Sequence, residues 1–521
     1  MQARQWIDAT VAVAWLAAIA ATGIATARAV FADGHSRILS TDGRKRESPA
    51  NALPSDLLRH LWLRENLLDL NGGWSRLIGQ RRCNGVIRLR NGHLSRPTTP
   101  LDPAKPAALM DEFSRYCGDL GVRTLFVQCP YKVDPGQAVV PRGAPFDWAN
   151  RIADDFLAGL RGTEALDLRP LLAASPEDVT RNFFRTDHHW TFRAAFAASA
   201  EIARRVLALA GDPDDGARAL DESRWERRTF PRRFLGAVGR RTGPWFGGTD
   251  GVEYLVPAFA TDLLCSTTRR YGRTTVGSGP FEGTLLRREV LAPPSSRYQD
   301  TGYSLYGYDR GLVRIENRSA PVHRRILVVK DSFGTPVVAF LSTVFSEVVA
   351  FDLRHWKALA MSDAVSALRP DAVLVLYNPR DLSAKPYFAF WNKGGNAGPP
   401  ERTVLLDRGR EVLEVRGNGT EGLSLGEGLF RPGDRLCLTV GSATAADGGG
   451  AWASVALVEA ATGETFQQDG IACGVATPQR LLFFVPDREG DFRLVFRPGG
   501  DGSPRGGRIG LEGVSLERIA R

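Results

Sequence analysis

The chain has 521 residues, 43% hydrophobic and 24% charged, which suits two or three globular domains with ample core. Its net charge of +9, from 67 basic against 58 acidic residues, is spread along the whole length without a basic block or an aromatic-interleaved basic helix. That argues against nucleic acid as a partner, and leaves an acidic polysaccharide or an anionic membrane face as candidates.

The N-terminus carries a nearly unbroken apolar run from Ala9 to Ala27 after Arg4. Residues 1–34 therefore read as an export signal. The run is long enough to anchor the chain in a bilayer, and Ala27-Arg28-Ala29 resembles a cleavage site, so retained anchor and cleaved signal both stand. Either places the body of the protein in the periplasm or on the extracytoplasmic face of the inner membrane. The six cysteines include no CxxC pair, which fits disulfides in an oxidising compartment better than zinc. Cys437 with Cys473 is the favoured pairing, and Cys129, ending an apolar strand, is the best candidate for a buried thiol.

From about residue 55 helix and strand patterns alternate. Leu109, Phe113, Tyr116 and Leu120 recur at helical spacing before Gly121, and "RTLFVQC" (123–129) reads as a short buried strand. A second helix runs through Trp148, Ile152, Phe156 and Leu160, followed by the strand-like "ALDLRP" (165–170). "RNFFRTDHHWTFRAAF" (181–196) follows, with Thr191 placed to cap a helix carrying Phe192, Phe196, Ile202, Val206 and Leu209. Residues 211–320 are less periodic and read as a long excursion from the core. "RRILVVKDSFGTPVVAFL" then predicts a strand, a tight turn and a helix with Thr335 as N-cap and Pro336 at its first position. "EVVAFDLR" (347–354) and "DAVLVLYNPR" (371–380) are further strands on either side of a helix over 362–370. Continuous apolar strands alternating with helices predict an α/β domain over 55–390 with a parallel sheet covered on both faces. After the Gly/Pro-rich "WNKGGNAGPP" (391–400), short alternating stretches over 400–521 predict an all-β sandwich.

In a parallel α/β sheet, ligands bind outside the carboxyl ends of the strands. Ser332 follows one such strand, Arg354 another, and Tyr377 with Asn378 closes a third. A serine on a strand-to-helix bend can act as a nucleophile, with neighbouring amides or Asn378 stabilising the oxyanion. His189 then serves as its base and Asp187 orients the imidazole. By residue type alone Ser332 is more often a helix cap than a nucleophile. Asp187-His188-His189 also resembles the metal-ligand triplet of DHH phosphoesterases, but such sites need further Asp and His ligands, and this chain has no second His-rich cluster. Arg354 as a solvated charge, Tyr377 as a strand-end aromatic and Trp190 as packing are the plainer alternatives.

The ordered set "RNGHL", "VQCPYK", "RTDHHWT", "ILVVKDSFG", "AFDLR" and "PDAVLVLYN" resembles the DHHW family of SGNH-like proteins, which includes periplasmic O-acetyltransferases of alginate and related exopolysaccharides. The resemblance covers about residues 85–385. It implies an SGNH-hydrolase-like domain whose Asp-x-His pair precedes the serine, the reverse of ordinary SGNH esterases. It implies catalytic Asp187, His189 and Ser332, with Arg354 and Tyr377 lining the cleft and Asn378 beside them in substrate binding. His188 receives no role. Family members with a C-terminal carbohydrate-binding sandwich suggest that role for 400–521, against a purely structural one. The implied activity is O-acetyl transfer to hydroxyls of a secreted or envelope polysaccharide, without cofactor or metal, the acetyl donor coming from a membrane acyltransferase partner. The alternatives are a carbohydrate esterase or deacetylase that uses water as acceptor, and a non-catalytic polysaccharide-binding export scaffold.

Overall fold

The computed structural model describes residues 64–268, 274–291, 302–307, 311–356, 359–383, 402–416, 423–445, 452–475, 477–498 and 508–519. The apolar run 9–27 and the stretch 391–400 lie outside them. Among the described residues, no helix is long and apolar enough to cross a membrane.

The larger, N-terminal part is organised around an eight-stranded sheet. Its strands in chain order are β1 (Arg123–Gln128), β2 (Glu164–Asp167), β3 (Leu263–Thr268), β4 (Thr274–Gly279), β5 (Leu312–Asn317), β6 (Val322–Lys330), β7 (Phe345–Phe351) and β8 (Ala372–Tyr377). Across the sheet they run β2-β1-β8-β6-β7-β5-β3-β4. The first five are mutually parallel, while β5, β3 and β4 continue antiparallel. The sheet is therefore mixed. Residues 211–320 are not an excursion, because they supply three of its strands. The alternation of β5 is masked by polar residues that are buried as an ion pair, Arg314 and Glu316.

The parallel strands read as apolar runs because both faces are covered. Ile326, Val328 and Leu374 pack with α3 (Phe192–Ala210) and α4 (Gly334–Leu341) on one side. Leu327, Val329 and Val375 pack with α1 (Ala104–Asp119), α2 (Ala149–Gly159) and α5 (Met361–Leu368) on the other. Each such side chain fully removed from water contributes about 1.5–3 kcal/mol. As expected, Thr191 caps α3, its hydroxyl accepting from the Ala194 amide at 3.3 Å. Thr335 does not cap α4: the helix begins at Gly334, behind Phe333. Its hydroxyl instead accepts from Lys330 Nζ at 3.0 Å. Gly334 makes that turn possible, since a Cβ there would lie 2.7 Å from Lys330 Cβ.

The C-terminal part is a β-sandwich of short antiparallel strands: β9 (Arg402–Asp407), β10 (Leu413–Arg416), β11 (Leu423–Leu425), β12 (Arg435–Val440), β13 (Ser442–Ala445), β14 (Trp452–Glu459), β15 (Thr465–Ala472), β16 (Gln479–Phe484), β17 (Phe492–Pro498), β18 (Arg508–Glu512) and β19 (Ser515–Ile519). They form sheets in the orders β9-β19-β12-β16, β10-β18-β13 and β11-β17-β14-β15. The expected Cys437–Cys473 disulfide is absent, and all six cysteines are buried thiols. The two sulfurs face different cores. Cys437 turns toward α5, its thiol reaching the Ala367 carbonyl at 3.7 Å, while Cys473 packs inside the sandwich.

The sandwich docks on the antiparallel part of the sheet. Leu264 and Val276 pack with Trp452 and Ala472, and Gly470 lies so close that a Cβ would come within 2.8 Å of the Leu264 side chain. Beneath this contact Arg314 donates to Glu347 at 2.7 Å and to the Gly470 carbonyl at 2.9 Å. Arg325 also pairs with Glu347, and reaches the Pro478 carbonyl at 2.6 Å.

Candidate active site

Three chain segments meet at the carboxyl ends of the parallel strands. The turn from β6 into α4 presents Ser332. The loop between the helix Pro176–Asn182 and α3 presents Asp187, His188 and His189, its neck closed by the Phe183–Trp190 bridge and by the Thr191 amide donating to the Asn182 carbonyl at 2.7 Å. The third segment, Gly302–Tyr306, supplies Tyr303.

The structure brings Asp187, His189 and Ser332 together. His189 Nε2 is 2.8 Å from Ser332 Oγ, and its Nδ1 is 2.5 Å from Asp187 Oδ1. Asp187 Oδ1 also accepts the His189 amide at 3.0 Å, and Oδ2 accepts the Ala237 amide at 2.7 Å. Burial opposes the charge on Asp187, but the two imidazoles and the Ala237 amide outweigh it and hold the carboxyl well below the usual carboxylate range. This is the charge-imidazole-hydroxyl order that acyl transfer needs: the carboxylate fixes the ring with its outer nitrogen facing the hydroxyl.

Asp187, His188 and His189 also offer ligand atoms within 4.8 Å of one another, the arrangement a metal could use. A metal there would have to displace bonds already made by both His189 nitrogens and by both Asp187 oxygens. His188 lies against His189, with ring centroids 3.8 Å apart and the planes tilted by 37°. Burial and the neighbouring His189 push it down to about 3, so it is neutral at physiological pH.

The aspartate loop is held from both sides by residues that sequence reasoning missed. Buried Lys132 donates to the carbonyls of Leu94 at 3.0 Å, Arg185 at 3.2 Å and Asp187. Buried Asp250 accepts the Arg185 amide at 2.6 Å and the Thr186 amide at 2.8 Å. Burial pushes Lys132 down to about 8 against the pull of Asp250 and Asp187. Lys132 closes the "VQCPYK" stretch directly after β1, and that rim position was the available signal. Nothing local marks Asp250 or Tyr303. Tyr303 lies on His189 and bridges Trp190 and Phe333, its hydroxyl accepting from Trp190 Nε1 at 3.1 Å and donating to the Phe333 carbonyl at 3.3 Å.

The residues expected to line the cleft are placed differently. Tyr377 is fully buried among Phe126, Phe156 and Val375 and has no face open to a sugar. As the last residue of β8 its side chain falls on the core side of the pleat. Asn378 Nδ2 donates to Asp331 at 2.7 Å and to Asp381 at 2.8 Å, so both its hydrogens are engaged and the side chain ties strand ends together. Asp331, just before the serine, also takes the Phe333 amide at 2.7 Å and the Asn378 amide at 2.7 Å. Burial and nearby Asp381 push its carboxyl up to about 7. Arg354 is tied back to Asp352, with its Nε 2.9 Å from Oδ1.

Comparison with known proteins finds a family model that matches part of the chain. Residues 95–255 match the family model described as SGNH hydrolase-like domain, acetyltransferase AlgX. The matched residues include the loop of Asp187 and His189, while Ser332 lies beyond them. Solved structures similar to the chain include the following three. PatB1 of Bacillus cereus, solved with a sulfonyl adduct, is 20% identical, covering 59% of this chain and 100% of its own, with a TM-score of 0.48. A DHHW family protein from Eubacterium siraeum is 20% identical, covering 58% and 94%, with a TM-score of 0.46. AlgX of Pseudomonas aeruginosa is 14% identical, covering 84% and 94%, with a TM-score of 0.32. No curated protein sequence matches the chain.

Proposed function

We propose that the protein transfers acetyl groups to hydroxyls of a secreted or cell-envelope polysaccharide through Ser332, His189 and Asp187. The observation that carries this reading is the continuous path Ser332 Oγ, His189 Nε2, His189 Nδ1, Asp187 Oδ1, at 2.8 and 2.5 Å. The match of residues 95–255 to an SGNH-like acetyltransferase domain supports it.

In this reading His189 Nε2 takes the Ser332 proton as Oγ attacks the acetyl carbonyl, and Asp187 stabilises the resulting imidazolium. The tetrahedral oxyanion collapses, the acyl bond to the donor breaks, and the departing group leaves with the proton from His189. Acetyl-Ser332 remains. A sugar hydroxyl then gives its proton to His189 and attacks the acetyl carbonyl, and Ser332 leaves reprotonated. The amides of Phe333 and Gly334 are already bonded to Asp331, so the Ser332 amide is the donor of this turn assigned to the oxyanion. The donor comes from a membrane acyltransferase partner, because the apolar N-terminal run argues for a location outside the cytoplasm.

The test supplies purified protein with an activated acetyl ester, with and without polysaccharide, and follows products and intact mass. Acetylated glycan and a transient acetyl adduct on Ser332 are the expected result. Release of acetate without glycan acetylation would convert the reading to an esterase. Full turnover by Ser332→Ala would end both.

A further inference from the structure

At the amino ends of the same parallel strands, on the edge opposite Ser332, the surface opens into a groove of about 730 Å³. That is the size of sites that hold ligands of several rings. A six-residue strand such as β1 separates the two edges by ~20 Å at ~3.3 Å per residue. The groove runs from the turn Leu120–Val122 past the end of α3 to the end of α5, and Arg402 of the sandwich closes one wall.

Its walls carry Arg123, Arg324, Arg369 and Arg402 against a single carboxylate, Asp371. Two of these cations are matched: Arg324 pairs with Asp212 at 2.8 Å and with Asp371 at 3.2 Å, and Arg402 with Glu517 at 2.8 Å. Exposed Arg123 and Arg369 make no ion pair among the described residues. Arg480 stands nearby, its guanidinium held below the usual value by burial and by the charges of Arg369, Arg325 and Arg402. Two unneutralised cations therefore face a groove that is also lined by exposed Leu120, half-buried Leu209, and buried Val122 and Pro370. Guanidinium forks bind carboxylates in bidentate fashion, and the carbon faces of sugar rings suit such apolar strips.

We propose that this groove is a second, non-catalytic binding site for a carboxylate-bearing segment of a glycan chain, with Arg123 and Arg369 as the anion contacts. Its glycan character rests on the polysaccharide reading above; its preference for an anion rests on the groove itself. A polymer bound there is retained by the enzyme while another part of it reaches the serine.

The test is amide hydrogen exchange on the full chain carrying Ser332→Ala, with a galacturonate hexamer as probe and neutral cellohexaose as control at low salt. Slowed exchange in peptides covering 120–123 and 365–371 with the uronate, absent with cellohexaose and lost in the Arg123→Gln/Arg369→Gln double variant, is expected. The affinity for the hexamer should fall about tenfold in the double variant, and the same double variant with Ser332 retained should turn over a small acetyl ester unchanged. No protection, protection that survives the double variant, or equal protection by cellohexaose overturns the proposal. Equal protection by inorganic sulfate at the same charge concentration also overturns it, by showing a small-anion site. Absence of acetyl transfer by the protein with Ser332 retained, with this protection intact, would instead count against the catalytic reading alone.

Discussion

The Tyr303 ring lies flat on His189, with centroids 3.6 Å apart and planes 7° from parallel. Its hydroxyl is anchored on Trp190 and Phe333, so the base is held by the residues that follow it and by the turn that carries the serine. Stacked rings contribute about 0.5–1.5 kcal/mol beyond burial. Tyr303→Phe keeps the stack and loses the anchor, and should cost a fewfold in kcat. Tyr303→Ala frees the imidazole and should cost about tenfold or more. Steady-state kinetics on a small acetyl ester checks the order, and equal losses in the two variants would contradict it.

Gly236 is pressed against the catalytic aspartate. A Cβ at this position would lie 2.5 Å from Asp187 Cβ and 2.6 Å from its backbone nitrogen. Gly236→Ala should displace Asp187 and abolish most turnover, much as Asp187→Asn should lower kcat by ~10³–10⁴ through loss of the oriented tautomer. The alanine variant's circular dichroism should remain native while its activity falls; full activity would refute the crowding argument.

Lys132 links stability to pH. Its folded value of about 8 lies below the ordinary 10.5 of lysine, so unfolding takes up protons between those values. The native state therefore gains stability as pH rises from about 8 to 10.5. Lys132→Met should flatten that gain in urea midpoints measured across the window. At pH 7 it should also destabilise by about 1–3 kcal/mol, because three buried carbonyls lose their donor. An unchanged slope would remove Lys132 as its source.

Glu347 joins the two halves of the protein by neutralising both Arg314 and Arg325 beneath the docked sandwich. Glu347→Ala leaves two buried guanidiniums without this carboxylate, a change that typically costs about 3–5 kcal/mol. Calorimetry should show a lower unfolding midpoint and separation of the sandwich transition from that of the sheet. A single transition at the original temperature would mean that apolar contacts alone hold the junction.

Much of the molecule was legible in its residues because local pattern suffices for it. Apolar runs such as Ile326–Val329 mark strands buried on both faces, Thr191 marks a helix start, and short alternating stretches mark a sandwich. The misreadings arose where a neighbour distant in sequence decides the outcome. Residues 312–317 alternate poorly because Arg314 and Glu316 are buried as a pair, with Arg314 also held by Glu347 on β7. Thr335 has a capping residue's chemistry, but Lys330 occupies its hydroxyl. Cys437 and Cys473 are assigned to separate cores by the faces their strands present.

The sequence by itself determined the alternation of the parallel strands with their helices, the division between sheet domain and sandwich, and the residue types able to form an acid-base-nucleophile set. Only the tertiary structure decided that Ser332 meets His189, that Tyr377 points into the core, and that Lys132, Asp250 and Gly236 hold the aspartate loop. Residue type and periodicity are properties of neighbours along the chain. Distances across the sheet depend on strand order, which brings β6 between β8 and β7 and so sets the serine beneath a loop far from it in sequence.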